Sequence, residues 1–596
     1  MNMRLLVLIA FFFSGFTSLV LETLWVRMLT LVFGGTTLAI VTVLSVFMGG
    51  LALGSFLASR WADSLKRPVL VYGILEGSIA IYALCVPVFI SFFPNIYGLL
   101  PPDVPFIFTA LFRFILSVLV LIVPTTLMGA TLPVLSRYFV RNPKVIGFDV
   151  GLLYSANTFG AVTGAFSSGF LMMPLLGMRP TLWLVAGGLL LLAGALIHKG
   201  RDAEVFFQEH QENAKADEQS PKEDLESEED LLMRELSQEA PVSARTIAMI
   251  LFVTGGIAMV CQVLWARCMA LVIGSSTYAF TLILGVFLIG LAGGAAFGAR
   301  ICRKSLDLPL SWVRLLMGTG FFLGIEVYFL DRMPFLFLGI FKDLPQDVGP
   351  VILFALKAMV VSIPILIPTF LMGTFFPLAL ALFSRSKDAI GQNVGRLYTI
   401  NTVGSIIGSV AAGFLILPFL GSQKGLALCA LGYVACSLLL VWSRSTEIRY
   451  VYGTALAATC LVLFFAPKWN PARMGSGMFR ISSIRSVSFF DAQELGNVLF
   501  YREGVSATVS VEGDNEYRAL KVNGKVDASN RGDRATQIGV AALPMLLHKN
   551  PKVAAIVGWG SGMTVGAALQ FPIQHLDAVE IEKEVVNASA LFDKWN

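Results

Sequence analysis

Charge is scarce in this sequence. Only 14% of the 596 residues are Asp, Glu, Lys or Arg, against roughly 25% in an ordinary soluble domain. Hydrophobic residues make up 56%, and mean hydropathy is +0.75. That balance excludes a soluble globule and indicates a multispanning membrane protein. Histidine and cysteine are scarce as well. The four histidines (His198, His210, His548, His575) form no metal-spaced cluster. The seven cysteines lie in or beside apolar segments and include no C-x-x-C pair, which speaks against a zinc site and a disulfide framework. The net charge of +5 is small for the length and lies mostly in loops. It reads as membrane orientation, with no nucleic-acid partner. No small-residue cleavage pattern follows the first apolar run, which is therefore read as a retained span.

What is present is a duplication. Residues 151–160 read GLLYSANTFG and 395–404 read GRLYTINTVG, both fitting G-x-L-Y-x-x-N-T-x-G. Upstream, 124–133 and 368–377 both fit P-T-x-L-M-G-x-x-x-P, at the same offset of 244. Near the start, Trp25, Arg27, Gly34, Gly50 and Gly54 match Trp265, Arg267, Gly274, Gly290 and Gly294 at an offset of 240. Repeats of this kind define the architecture before any single helix does.

A span needs about 20 apolar residues. Six candidates lie near 5–27, 36–59, 69–92, 107–135, 150–173 and 180–197. Six more lie near 246–270, 276–299, 312–330, 350–383, 396–418 and 424–443, and a weaker run covers 450–466. The resulting division is a first membrane repeat (1–199), an acidic linker (200–243), a second repeat (244–445), a thirteenth spanning or interfacial segment (446–467) and a soluble remainder. The linker, with PKEDLESEEDLLMRE, reads as flexible and cytoplasmic. Lys and Arg concentrate after the even-numbered spans: Arg60, Lys66 and Arg67, then Arg137, Arg141 and Lys144, then Arg300, Arg303 and Lys304, then Arg385 and Lys387. The positive-inside rule puts these loops and the N-terminus in the cytoplasm. The two halves are then parallel repeats related by an axis along the membrane normal.

Ionisable groups within spans are costly and are expected to face the bundle interior or a wet cavity. Glu22, Arg27, Glu76 and Arg113 fall in first-half spans, and Gln262, Arg267, Glu326 and Lys357 in the second. Glu76, Arg113, Glu326 and Lys357 are candidate cavity residues, with Arg113 and Lys357 aligned by the 244 offset. Arg27 and Arg267, near span ends, are read as members of internal ion pairs or as side chains snorkelling to the interface. The duplicated stretch itself reads first as helix packing through Gly160-x-x-x-Gly164 and Gly404-x-x-x-Gly408. Asn157 and Asn401 are additional candidates for a central cavity.

From Pro467 the composition changes. Residues 468–530 are read as a small β-domain, with period-2 alternation and turn signals over 480–530 that indicate a small antiparallel sheet. Residues 531–596 suggest a helix over 533–548 interrupted by Pro544, a strand (552–557), the turn Gly558-Trp559-Gly560-Ser561-Gly562, a helix from Met563, and a strand (576–581) with Glu580 at its end. Strand, glycine turn, helix, strand and acid about 20 residues on is the layout of a nucleoside-binding β-α-β unit. A terminal carboxylate there can accept both hydroxyls of a ribose.

VAAIVGWGSGMTVGAALQFPIQHLDAVEIEKEVV resembles the first motif of the spermidine synthases, the polyamine aminopropyltransferases. Together with the two membrane motifs, the chain resembles bacterial fusions of a major-facilitator-like membrane part with a spermidine synthase. The resemblance implies a duplicated six-helix α-helical membrane protein of the bacterial inner membrane. It also implies a C-terminal α/β Rossmann-like, methyltransferase-type domain preceded by a small β-sheet. Gly558, Gly560, Ser561 and Gly562 would cradle decarboxylated S-adenosylmethionine or a related nucleoside as co-substrate, Glu580 would bind its ribose, and Gln537 would lie at the substrate site. The family's catalytic Asp has no counterpart before Asn596, so the catalytic residue is unassigned, and the domain is expected to be truncated or completed by another chain. Two functions are expected. One is aminopropyl transfer to a polyamine at the membrane. The alternative is a secondary transporter of polyamines or other small solutes with a regulatory or vestigial tail. A homodimer is left open.

Overall fold

In lipid, each backbone polar group must be satisfied within its own segment, so apolar runs this long become helices. The computed structural model describes residues 3–33, 37–98, 106–142, 145–218, 242–305, 307–341, 344–345, 348–384, 389–442, 446–480 and 496–596. The first half holds α1 (Met3–Phe33), α2 (Thr37–Ala58), α3 (Pro68–Ser91), α4 (Phe106–Phe139), α5 (Ile146–Phe166) and α6 (Met178–Glu218). The second half holds α7 (Ala244–Ile273), α8 (Thr277–Lys304), α9 (Leu308–Phe329), α10 (Pro350–Gly373, continued by Phe375–Phe383), α11 (Ile390–Ala411) and α12 (Leu417–Val441); α13 (Thr446–Phe464) follows. Eleven helical segments among the described residues are long and apolar enough to cross a membrane, and one of them, Ile390–Val441, contains both α11 and α12. Within α12 the helix is kinked at Gly421, with φ 74° and ψ 173°. Gly177, 244 residues earlier, has φ 84° and ψ 173° and divides the first half at the equivalent point. A positive φ of this kind is cheap only for glycine.

The halves use the same pairings: α1 with α5, α2 with α4 and α3 with α6, then α7 with α11, α8 with α10 and α9 with α12. The duplicated motifs make these pairs close. A Cβ on Gly160 would stand 1.8 Å from the Phe12 carbonyl oxygen, and one on Gly404 2.1 Å from that of Phe252. On Gly54 it would meet the oxygen of Thr126 at 1.8 Å, and on Gly294 that of Phe370 at 1.9 Å. Helix backbones touch at these points, as small-residue motifs in membranes allow.

The acidic linker begins as a continuation of α6, which runs to Glu218 instead of ending near residue 199; residues 219–241 lie outside the described ones. The weak thirteenth run is a 19-residue helix lying along α12 and α9. The Tyr328 hydroxyl, at the end of α9, donates to the Val462 carbonyl at the end of α13. The end of this helix thus lies beside the end of α9, and the tail that follows contacts the bundle at the end of α7 and the start of α12, on the face opposite the N-terminus.

The tail has two sheets. Strands β1 (Val498–Glu503), β2 (Thr508–Gly513), β3 (Arg518–Val522) and β4 (Lys525–Ser529) form an antiparallel meander in sequence order. Val509, Val511 and Leu520 on it pack against Val585, Ala588 and Phe592. Strands β5 (Val553–Val557) and β6 (His575–Val579) form a separate parallel pair. This is one β-α-β unit; a complete Rossmann-like sheet is not present in the described residues. Its half-buried Ala554, Ile556 and Leu576 face α14 (Arg534–Leu547). The helix passes through Pro544 without the expected break. Proline removes one hydrogen bond from a helix interior, but Pro544 lies within the last turn, and its own carbonyl still accepts from His548 N.

Candidate functional site

A cavity of about 290 Å³ lies between the halves. Both repeats contribute matching positions to it. Asn157 and Asn401, Tyr154 and Tyr398, and Thr158 and Thr402 all line it, each pair one 244-residue offset apart. Asn157 Nδ2 also donates to the Phe11 carbonyl oxygen at 3.1 Å. A Cβ on Gly255 would lie 2.6 Å from Asn401 Oδ1. The asparagines thus serve packing and lining together.

The charged candidates distribute differently. Glu76, Arg113, Glu326 and Lys357 do not line this cavity. Glu76 is 1% exposed and sits behind Ser14, whose side chain reaches the cavity wall. Glu326 Oε2 accepts from Trp265 Nε1 at 2.6 Å, pinning α9 to α7 inside the second half. Arg113 and Lys357 are half-buried. Glu22 and Gln262, not selected from sequence as cavity residues, do line it. The 240 offset that aligns Trp25 with Trp265 also aligns these two, so the signal was present.

The halves seal toward the N-terminal face. Asp63, after α2, accepts from Gly391 N and Gln392 N, each at 2.8 Å. It thereby caps α11 from the other half, placing a negative charge at a helix N-terminus. Ser155 Oγ donates to the Ala292 carbonyl at 2.8 Å. A Cβ on Gly395 would be 2.6 Å from Ser59 Cβ, and one on Gly147 2.7 Å from Ala381 Cβ.

The tail docks on the second half. Glu503 Oε2 accepts from Ser422 N at 2.9 Å and Ser422 Oγ at 2.5 Å. Arg267, at the end of α7, reaches the tail: its Nη2 donates to the Val505 carbonyl at 2.7 Å. Arg473 pairs with Asp331 at 3.3 Å. Burial beside the Glu503 carboxylate pushes the Tyr501 hydroxyl well above its usual range.

In the tail's glycine turn, Gly558, Gly560 and Gly562 have φ of 97°, 58° and 85°. Open space surrounds the first two, while the third abuts Asn596. This open cradle fits a nucleoside in part. Glu580 Oε2 accepts from Trp559 N at 2.9 Å, and Oε1 from Ile581 N at 2.8 Å and Glu582 N at 3.0 Å. Three of about four acceptor positions of a carboxylate are thereby engaged, leaving room for one ribose hydroxyl, not two. Ser561 bonds to Gln537, whose Nε2 donates to the Ser529 carbonyl at 3.0 Å. Glu582, overlooked from sequence as a structural group, clamps the β1–β2 turn by accepting from Ser506 N and Ala507 N at 2.7 and 3.0 Å.

Two six-helix repeats around a shared cavity define the class of membrane protein built as secondary transporters are. The chain belongs to the Major Facilitator Superfamily, whose family model matches residues 6–409. Among curated relatives, a polyamine aminopropyltransferase of Corynebacterium efficiens is 26% identical over 233 residues, 37% of this chain and 41% of that protein. One of Oceanobacillus iheyensis is 20% identical over 349 residues, 56% of this chain and 61% of that one. The chain thus spans about half the length of these relatives. Similar solved structures include the proton:xylose symporter XylE (TM-score 0.45, 13% identity, 74% of this chain and 94% of that one). A bacterial homologue of the iron transporter ferroportin is another (TM-score 0.46, 12% identity, 75% and 100%).

Proposed function

We propose that the chain is a secondary transporter, carrying a small solute through the cavity between its halves by alternating access. The carrying observation is that both repeats build one cavity from equivalent positions while sealing against each other on the N-terminal face. Polyamines are among the candidate solutes, because the relatives named above are polyamine aminopropyltransferases. Proteoliposome counterflow with labelled polyamines, amino acids and sugars tests the reading. Paired Asn157→Ala and Asn401→Ala substitutions should cut the uptake of whichever solute moves at least tenfold. Movement of none of them would sink it.

A second reading concerns the tail, on the strength of the open glycine turn at Gly558 and Gly560. In this reading it binds decarboxylated S-adenosylmethionine or a related nucleoside, supporting aminopropyl transfer or regulating transport. The positive-inside pattern supports a cytoplasmic N-terminus at a bacterial inner membrane. The tail, on the opposite face, then lies outside the cytoplasm, away from cytosolic S-adenosyl compounds; this favours transport over transfer. Equilibrium dialysis of the full chain with labelled S-adenosylmethionine, wild type against Glu580→Ala, checks the nucleoside site. No wild-type binding would end this second reading.

A further inference from the structure

The described lining of the central cavity contains one carboxylate, Glu22 on α1, and no lysine, arginine or histidine. Its repeat partner at the 240 offset is Gln262 on α7, which also lines the cavity. Glutamine matches glutamate in shape but carries no charge. Symmetry therefore supplies two equivalent carbonyl-bearing arms, and sequence divergence has put charge on only one. The rest of the wall is neutral: the amides of Asn157 and Asn401, hydroxyls such as Ser18 and Thr254, and the rings of Phe47, Phe287 and Phe376. A carboxylate among aromatic faces attracts a cation and repels an anion. An unpaired ion inside a membrane protein is costly, so this carboxylate demands a positive partner.

The other titratable groups around it are few. Tyr154 on α5 and Tyr398 on α11 line the same space. Glu76 and Tyr72 on α3 stand behind Ser14, outside the lining. Arg27 follows Glu22 on α1 itself, beyond the lining residues. Among the described residues, α2, α4, α7, α8 and α10 put no acid, base or thiol into the wall.

We infer that the cavity exchanges one monovalent organic cation for one proton, with Glu22 as the single seat for which the two compete. The inference rests on the transporter reading and specifies its substrate class. The bookkeeping follows from there being one carboxylate. When the cation enters, the Glu22 proton leaves to the same side. When the cation departs on the far side, a proton from that side replaces it. One positive charge moves each way, so the cycle is electroneutral for a monocation. A dication would leave one of its charges without a counter-ion.

The test uses the full chain in proteoliposomes with labelled tetraethylammonium and putrescine, a pH gradient, and the membrane potential set by potassium and valinomycin. An acidic interior should drive tetraethylammonium uptake at least tenfold above the pH-equilibrated rate. Setting the potential at zero or strongly negative should change that uptake by less than twofold. Glu22→Gln, which makes the two repeats alike at this position, should abolish the pH-driven component while the protein keeps its elution profile and thermal midpoint. Gln262→Glu, which supplies a second carboxylate, should shift the putrescine-to-tetraethylammonium uptake ratio at least tenfold toward putrescine. Undiminished pH-driven uptake by Glu22→Gln, or strong dependence on potential in the wild type, overturns the one-seat exchange. Counterflow of a sugar or amino acid without either cation overturns the cation assignment and leaves the transporter reading standing. Movement of no solute of any class removes both.

Discussion

The attachment of the tail to the bundle rests on a contact whose strength can be worked out. Glu503 closes β1 and accepts two hydrogen bonds from Ser422, one residue past the left-handed Gly421. Hydrogen bonds to a charged group contribute about 1.5–3 kcal/mol each when buried. Glu503 is only half-buried and Ser422 N can find water once the tail lifts, so the low end applies. Glu503→Ala should then cost about 2–3 kcal/mol, a factor of roughly 30–150 in the docking equilibrium. Arg267 would keep its bond to the Val505 carbonyl, and the Arg473–Asp331 pair would still hold the start of the tail. The loss should therefore be local. Hydrogen–deuterium exchange on the solubilised full chain should show protection of the Ser422 amide falling by that factor, while the β1–β2 turn, held by Glu582 and Arg267, changes less and β3 and β4 change little. Glu503→Gln should fall between, since an amide oxygen still accepts but without charge. Unchanged protection of the Ser422 amide in Glu503→Ala would refute the docking argument.

Gly160→Ala should separate α1 from α5 and cost about 1–3 kcal/mol by overpacking, whereas Gly187→Ala on α6, with open space around it, should be neutral or stabilising; thermal unfolding in detergent compares them. Asp63→Ala leaves two first-turn amides of α11 without their acceptor and should shift the halves toward opening on the N-terminal face by about 1–3 kcal/mol, seen as faster thiol labelling of a cysteine introduced at Ser59. Asp514 accepts from Tyr517 N and Glu516 N, and those bonds hold its carboxyl below the ordinary 3.8. Its contribution to the β2–β3 turn is thus present above that value and lost as pH falls through the lower folded one; a pH series of turn protection, with Asp514→Asn showing no such step, checks the sign.

Much of the fold was legible because duplication leaves a signal that single helices do not. The offset of 244 identified the parallel halves, and the glycines within the motifs marked where helices touch. The charged cavity candidates were harder. Helices apolar on every side give no amphipathic stripe to mark an inner face, so amphipathicity could not separate Glu76, Glu326, Arg113 and Lys357 from Glu22. The pairing of Glu22 with Gln262 at the 240 offset was the available signal; that Glu326 is instead satisfied by Trp265 within one half is visible only in the packing. Arg267 reaches a carbonyl 238 residues away, a contact that local spacing does not encode. In the tail, the strand–glycine–strand order was readable. The use of Glu580 and Glu582 as clamps on neighbouring backbone was not, since their spacing suits a ligand role equally well.

The described tail contacts with the bundle include α7, α9, α12, the turn Leu330–Arg332 after α9 and the short helix Met333–Phe341 that follows it. All of these belong to the second repeat. If the two halves rock, the tail is carried by one of them like a pointer fixed to one blade of a hinge. Its distance from the far end of α3 becomes a natural gauge of conformation. A fluorophore on β4 and another near Ser91 would report each turnover in single molecules, without placing any label in the conduit itself.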